Sequence, residues 1–395
     1  MEAQHRLAIQ GFRILALAQG DVSGQSQINP SLESELQFVG LVAMIDPPRS
    51  GVKEAIDSCR EAGIIPVMIT GDHKETAIAI AKEIGLMMPN SMAVEGKELD
   101  NIDDHSLHKI ILKTAVFARV SAQHKLRIVH AWKSHGHIVA MTGDGVNDAP
   151  AIKKADIGIA MGITGTEVTK QVSDMVILDD HFATIVTAVK EGRAIYSNIV
   201  KFVRFLLSAN FAELLVIFFG ILWGFSDASG EIWAILLPSQ ILWINLVTDG
   251  CPAIALAFDP IEKAAMKQKP RKVSEPILSL PWILKLVFIG LIAAFVSIFA
   301  AHLGFSKGML VGQSMAFTEL VILELGILLL IRKPLSIFSN FWLLVALFLS
   351  LLLQVFVIYF PPMHLPFGTV FLEALGWLQI LGIAFIVNLL VFLVI

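Results

Sequence analysis

The distribution of hydrophobic and polar residues changes once along the chain, near residue 190. Before that point, short apolar runs alternate with amphipathic stretches such as 51–62 and 73–84. Strands that alternate with helices predict a doubly wound, parallel α/β sheet, whose ligands bind at the carboxyl ends of the strands. The predicted strands are 38–45, 64–69, 115–118, 137–141, 156–160 and 175–178.

After residue 190, six apolar spans are each long enough to cross a bilayer as a helix. Basic residues cluster on alternate connections, so the positive-inside rule places the preceding α/β domain and the C-terminus in the cytoplasm. The pattern predicts an α-helical transmembrane bundle of six helices, and short connections on the other side favour the cell membrane of a prokaryote. The predicted spans are 205–225, 232–258, 282–302, 313–331, 341–360 and 369–395.

Composition and charge narrow the function classes. Hydrophobic residues make up 55% of the chain, which agrees with a protein whose partner is the lipid bilayer. The formal net charge of −4 argues against a nucleic-acid partner. Two cysteines, Cys59 and Cys251, lie far apart and indicate neither a disulfide framework nor a zinc site.

The heptapeptide 142–148, Thr-Gly-Asp-Gly-Val-Asn-Asp, follows one of the predicted strands. It places the carboxylates of Asp144 and Asp148 four residues apart, and Mg²⁺ prefers such hard oxygen ligands together with waters and a substrate phosphate. Gly143 and Gly145 allow the backbone to approach phosphate oxygens closely. A Gly-Asp-Gly sequence alone is equally compatible with an ordinary tight turn.

A second motif, Met-Ile-Thr-Gly-Asp at 68–72, ends another predicted strand with a hydroxyl, a glycine and an acid. Lys125 lies between the two motifs, near Arg119. A hydroxyl, a lysine and paired carboxylates at successive strand ends suit phosphoryl transfer, where catalysis is mostly positioning and charge neutralisation. The alternative is that Lys125 is a solvated helix residue.

Four stretches together resemble the P-type cation ATPases, and among them the type II, sarcoplasmic-reticulum-like calcium pumps: TGDGVNDAPAIKKADIGIAMG, MITGD, Asp46-Pro47-Pro48-Arg49 and 117–125. The resemblance implies ATP and Mg²⁺ as cofactors and a Rossmann-like fold of the haloacid dehalogenase (HAD) type at 38–190. It also implies a remnant of a nucleotide-binding domain with a connecting loop at 1–37, and a stalk with membrane helices at 191–395. The implied roles are phosphoryl contacts for Thr70, Gly71, Asp72 and Lys125, support from Asn147, Mg²⁺ binding by Asp144 and Asp148, and nucleotide contacts for Arg13 and Arg119.

The chain departs from this family in one respect. The family's covalent nucleophile is the aspartate of an Asp-Lys-Thr-Gly-Thr motif, and no such string occurs here. We therefore expect the C-terminal half of a pump, inactive by itself and incomplete without the N-terminal half if the gene is split.

Polar residues inside the spans indicate what is transported, because an ionisable side chain in hydrocarbon costs a few kcal/mol unless it meets a partner or an ion. Carboxylates with amides and a hydroxyl suit Ca²⁺, which takes six to eight oxygens in a flexible cage. Manganese, magnesium or sodium could use similar oxygens, and helix-packing hydrogen bonds are the alternative role. The residues that match calcium-pump ligand positions by resemblance are Asn210, Glu213, Asn245, Thr248, Asp249 and Glu324.

Glu319 does not fit this set. Five residues separate it from Glu324, which places the two about 140° apart around a helix. A proton path, a counter-charge and a protonated group at a helix interface are all compatible with its position, and the last is favoured.

Two function classes remain open from the sequence. One is an ATP-driven cation pump in which the helix through 184–196 continues into the first span and acts as a lever. The other is a truncated or split-gene membrane protein that binds cations and Mg²⁺ without ATP turnover. A membrane-tethered phosphatase is disfavoured, because it needs a strand-end aspartate with a second acid two residues on, and Asp46 lacks that acid.

Overall fold

A computed structural model describes residues 12–20, 36–44, 47–226, 233–262, 264–272, 274–332 and 336–394. The chain divides into two compact units. The first contains Met1–Lys190 and Met266–Pro270, and the second contains Glu191–Ala265 and Arg271–Ile395.

The first unit alternates short strands with helices, as the hydrophobic pattern predicts. Its strands are β1 (Arg13–Gln19), β2 (Gln37–Met44), β3 (Met68–Ile69), β4 (Met92–Glu95), β5 (Thr114–Ala118), β6 (Ala140–Gly143), β7 (Ile157–Met161) and β8 (Met175–Ile177). Its helices are α1 (Val52–Glu61), α2 (Lys74–Glu83), α3 (Gly96–Asp100), α4 (Asp104–Ile110), α5 (Ala122–Ser134), α6 (Ala149–Lys154) and α7 (Glu167–Val172).

Parallel pairing dominates this unit and confirms the α/β fold class. The parallel strands form two three-stranded ladders, in the orders β3-β5-β4 and β6-β7-β8. The prediction for residues 38–45 was wrong in its pairing, because β2 pairs antiparallel with β1, with Arg13 opposite Met44. The sequence pattern also missed β1 and β4. Leu15 and Leu17 of β1 are about half exposed, so this hairpin is not a core strand pair.

The side chain of Ile69 connects the cores of the two parallel ladders. It packs against the cluster around Phe117 and Ile128 and also against the cluster around Met141 and Ile152. These four residues are buried, and each buried side chain of this size contributes about 1.5–3 kcal/mol of transfer free energy. The strand ends that carry the motifs at 68–72 and 142–148 are therefore held by one continuous apolar packing.

The second unit is helical. It begins within α8 (Phe182–Trp223), a continuous helix of 42 residues. The following elements are α9 (Pro238–Trp243), a π-helix (Ile244–Thr248), α10 (Gly250–Ala255), a 3-10 turn (Leu256–Phe258), α11 (Leu280–Phe305), α12 (Met309–Ile331), α13 (Phe341–Tyr359), α14 (Pro361–Phe367) and α15 (Ala374–Val394).

Six segments of the described chain are long and apolar enough to cross a membrane, as predicted. The second, Pro238–Phe258, is interrupted by the π-helix between Pro238 and Pro252. Proline removes a backbone donor, and π-bulges often occur at functional sites. The last span begins at Ala374, because residues 369–373 of the predicted segment are not helical. Helix α12 is central, with 78% of its apolar window buried.

Candidate functional site

The loop after β3 is fixed by local hydrogen bonds. The Thr70 amide donates to the Phe117 carbonyl at 2.9 Å, which anchors the loop to β5. The Thr70 hydroxyl donates to the Asp72 carboxylate at 2.9 Å, and the Asp72 amide donates to the Thr70 hydroxyl oxygen at 3.1 Å. Thr70, Gly71 and Asp72 thus form a small polar loop at the carboxyl end of a parallel strand, where such sheets bind ligands.

Arg119 joins this loop from the end of β5. Its amide donates to the Asp72 carbonyl at 3.1 Å, and its guanidinium lies 2.7 Å from His73 Nε2 and 3.8 Å from Glu95. Its φ of 49° is uncommon for a residue other than glycine, and such backbone strain clusters at functional sites. The structure therefore brings Arg119 and His73 to the Thr70 loop.

Lys125 and Asp148 form the second part of the site. Lys125 lies in the first turn of α5, which Ser121 caps, and its Nζ pairs with an Asp148 carboxylate oxygen. The other Asp148 oxygen accepts from the Gly145 amide at 3.2 Å. A Cβ at Gly143 would lie 2.4 Å from the Asp148 Cβ, so only glycine fits there. Lys125 is therefore a largely buried, paired residue and not the solvated helix residue that was the alternative.

Asp144 differs from Asp148 in its surroundings. Asp144 is exposed, and its backbone carbonyl accepts from the Thr166 amide at 2.9 Å. The donor set fits Mg²⁺, because Asp144 presents a free hard-oxygen group and a phosphate with waters can complete the octahedron. Asp148 has both oxygens engaged and orients Lys125. Asn147 is exposed in a short 3-10 turn beside them.

Two further positions from the sequence analysis are Arg13 and Asp46. Arg13 begins β1, where its backbone lies opposite Met44 of β2. Asp46, the alternative strand-end acid, lies outside the described residues.

Asp180 is a residue that the sequence analysis missed. Its carboxylate accepts from the amides of Gly162, Ile163 and Thr164 at 2.7–3.1 Å and from the Thr164 hydroxyl at 2.9 Å. Arg49 donates to the Asp180 carbonyl at 2.6 Å. The only sequence signal was a pair of acids directly after a predicted strand. Asp180 thus fixes the loop after β7.

Neutralising Asp180 with Asn is expected to lower stability by an amount that depends on pH. Burial raises the pKa of this carboxyl, but four hydrogen bonds outweigh it and lower the pKa from 3.8 to about 2. The native state therefore binds fewer protons than the unfolded state, so the ionised group stabilises above pH 4 and loses its effect as the pH falls towards 2. The difference in thermal midpoint between the unsubstituted protein and Asp180→Asn should be constant from pH 5 to 8 and should narrow below pH 4. A difference that widens on acidification would contradict this assignment.

The second unit brings two predicted cation ligands into direct contact. The Asn245 amide, next to the start of the π-helix, donates to both carboxylate oxygens of Glu213 at 3.0 and 2.8 Å. Glu213 is buried on α8. The first and second spans are therefore joined by polar side chains in the membrane interior.

Asp249 and Glu324 are two further predicted ligands, and both are buried acids of the second unit. Both are 1% exposed, and none of their four carboxylate oxygens has a hydrogen-bond partner among the described residues. In the described ranges no three His, Cys, Asp or Glu side chains form a ready-made metal site, so a cation here also needs amide, hydroxyl, carbonyl or water oxygens.

The remaining predicted residues differ in their positions. Thr248 is buried, and its hydroxyl donates to the Ile244 carbonyl of its own helix. Ser350, which the sequence analysis missed, donates to the Thr248 carbonyl at 3.2 Å. Asn210 is exposed in the described structure, and its side-chain amide donates to the Leu206 carbonyl of its own helix.

Glu319 lies between α11 and α12 with no exposed surface. It accepts a hydrogen bond of 2.6 Å from the Ser297 hydroxyl. This contact agrees with the favoured position at a helix interface.

Comparisons with known proteins cover most of the chain. The family described as "haloacid dehalogenase-like hydrolase" matches residues 6–156, and the family described as "Cation transporting ATPase, C-terminus" matches residues 233–394. A Bacillus subtilis "Calcium-transporting ATPase" is 44% identical over 96% of this chain and 43% of its own length. A human "Calcium-transporting ATPase type 2C member 1" is 40% identical over 96% of this chain and 40% of its own.

An Arabidopsis thaliana "Calcium-transporting ATPase 4, endoplasmic reticulum-type" is 43% identical over 72% of this chain and 28% of its own length. The chain thus spans less than half the length of these relatives. Its HAD-like unit, its six apolar helices and these similarities together place it in one family. The chain belongs to the P-type cation-transporting ATPases, among which its relatives are calcium-transporting ATPases.

Proposed function

We propose that this chain provides the phosphate-handling and cation-binding parts of an ATP-driven pump for a hard cation, with Ca²⁺ favoured. The observation that supports this most is the buried group of Glu213, Asn245, Asp249 and Glu324, in which two acids have no partner among the described residues. Buried acids of this kind are costly in a membrane unless a cation or proton neutralises them. The names of the relatives favour Ca²⁺.

The first unit would supply the chemistry of phosphoryl transfer. ATP would provide the phosphoryl group, and Mg²⁺ at Asp144 would neutralise charge on it. Lys125, oriented by Asp148, would approach the same oxygens, while the Gly71 amide and the Thr70 hydroxyl would contact the phosphoryl group. Arg119 and Arg13 are proposed for the nucleotide. The phosphorylated aspartate would come from a segment that carries Asp-Lys-Thr-Gly-Thr.

The location follows from the same proposal. The six spans would lie in the cell membrane of a prokaryote, with the first unit and the C-terminus in the cytoplasm, as the basic connections indicate.

A phosphorylation assay tests the proposal against its alternative, a membrane protein that binds cations without ATP turnover. The purified chain with radiolabelled ATP, Mg²⁺ and Ca²⁺ is expected to form no acid-stable phosphoenzyme. Co-expression with a polypeptide that carries Asp-Lys-Thr-Gly-Thr and four membrane spans is expected to give a Ca²⁺-dependent one. A reconstituted pair that folds and binds ATP yet stays unphosphorylated would favour the alternative.

Helix α8 offers a second test, because it is uninterrupted from Phe182 to Trp223 and carries Glu213. Two glycines inserted after Ser197 would break it, since glycine costs about 1 kcal/mol per position in a helix interior. In the reconstituted pair, transport is expected to drop at least tenfold while phosphoenzyme still forms. Two alanines inserted at the same point, which shift the register but keep the helix, are the control that separates breakage from rotation. Transport at normal stoichiometry after the glycine insertion would contradict a lever role.

A further inference from the structure

We call Glu213, Asn245, Asp249 and Glu324 the cation group. A separate buried ionic cluster lies at one end of the membrane helices. Its centre is Asp259, directly after the second span, and Arg332, directly after α12. The Arg332 Nε donates to both Asp259 carboxylate oxygens at 3.0 Å, and Nη2 lies 2.9 Å from one of them. Neither side chain has any exposed surface. A fully buried pair with this bidentate geometry fixes two helix ends relative to each other.

Two further elements converge on Asp259. The Asn340 amide, at the start of α13, donates to Asp259 and to the Ala255 carbonyl, both at 2.8 Å. On α8, Lys201 Nζ forms ion pairs without hydrogen-bond geometry, at 3.7 Å from Asp259 and 3.1 Å from Glu262. The charges of the two acids and the two bases cancel. We name these five residues, Lys201, Asp259, Glu262, Arg332 and Asn340, the Asp259 cluster.

The Asp259 cluster holds the three helices that carry the buried acids of the cation group. Lys201 precedes Glu213 on α8 by twelve residues, Asp259 follows Asp249 by ten, and Arg332 follows Glu324 by eight. At 1.5 Å per helical residue these separations are roughly 12–18 Å, so each helix is anchored a similar distance from its acid. The Asp259 carboxylate is the common contact of the other two anchors, Lys201 and Arg332.

We propose that Asp259 is a positioning residue that sets the spacing of Glu213, Asp249 and Glu324 and thereby the preference for Ca²⁺ over a smaller divalent cation. This inference rests on the proposed cation site. The desolvation cost of a buried charge is offset only while its partner stays at contact distance. A shift of one helix by about an ångström would break the pair and is therefore unfavourable. Ca²⁺ binds at 2.3–2.6 Å with six to eight oxygens, whereas smaller cations need a tighter octahedron, so the spacing of the acids decides between them.

Equilibrium binding of radioactive Ca²⁺ to the full chain in detergent, with Mn²⁺ as competitor, tests the proposal. The double variant Asp259→Asn with Arg332→Met removes both charges of the pair. Because neither charge is left without its partner, we expect the variant to fold. Its affinity for Ca²⁺ should fall at least tenfold, and the ratio of Ca²⁺ to Mn²⁺ affinity should fall at least threefold. Arg332→Lys, which keeps the charge but loses the bidentate contact, should give an intermediate ratio and a near-normal thermal midpoint.

Glu373→Gln is the control, because it removes an exposed ion pair with Lys307 at the other ends of the helices. It should leave both affinities within twofold. An unchanged Ca²⁺ to Mn²⁺ ratio in a folded Arg332→Lys protein, or in the folded double variant, would overturn the positioning role. Failure of the unsubstituted chain to bind Ca²⁺ at all would instead overturn the proposed function on which the inference rests.

Discussion

Replacement of Asp249 by Asn is expected to weaken Ca²⁺ binding about 100-fold, or roughly 2.7 kcal/mol. Asp249 is buried at the end of the π-helix, and neither carboxylate oxygen has a partner among the described residues. Asn keeps the shape and one oxygen but removes the negative charge, and the number of charged ligands strongly sets Ca²⁺ affinity. Equilibrium Ca²⁺ binding to the purified chain measures the loss.

Glu319→Gln is the matched control for this experiment. Glu319 is also fully buried in the second unit, but it accepts from Ser297 between α11 and α12. We expect its neutralisation to change Ca²⁺ affinity less than threefold. If both substitutions weakened binding equally, general burial of charge rather than direct ligation by Asp249 would explain the effect.

Replacement of Lys125 by Met is expected to destabilise the first unit by roughly 3 kcal/mol, because removal of one partner from a buried ion pair leaves the other charge unpaired. Lys125 and Asp148 are 16% and 8% exposed at their side chains, so solvent screens them little. Chemical denaturation followed by the fluorescence of Trp132, which is buried in this unit, measures the change.

Two variants separate this effect from a general loss of charge. Lys133→Met removes a more exposed pair with Asp156, at 2.8 Å, and should cost under about 1 kcal/mol. The double variant Lys125→Met with Asp148→Asn should recover most of the stability that Lys125→Met loses. Neither the single nor the double variant should show Mg²⁺-dependent binding of a phosphate analogue. Recovery of that binding would show that Lys125 has no role towards phosphate.

Several residues of the phosphate site could be located from the sequence because they belong to contiguous motifs at strand ends. Thr70 and Asp72 are two residues apart and bond to each other, so their contact is local. The pairing of Lys125 with Asp148 was not readable in this way, since the two are 23 residues apart and meet only when α5 and the loop after β6 pack together.

The cation group shows the same division. Thr248 and Asp249 follow Asn245 by three and four residues, which is the spacing of one face in a regular α-helix, but the π-helix changes the turn at this point. Asn210 and Glu213 are three residues apart, which is also the spacing of one helical face, yet the fold buries Glu213 while it leaves Asn210 exposed.

The sequence by itself determined the class of this protein, because hydrophobic length specifies membrane spans, alternation specifies an α/β unit, and local motifs match those of the P-type ATPases. Only the tertiary structure decided which distant polar groups become partners, as with Asp180 and the loop at Gly162–Thr164, Ser350 and Thr248, or Arg332 and Asp259. The physical reason is that a buried charge or hydroxyl needs a partner at contact distance, and the packing of whole helices and strands determines which residues come that close.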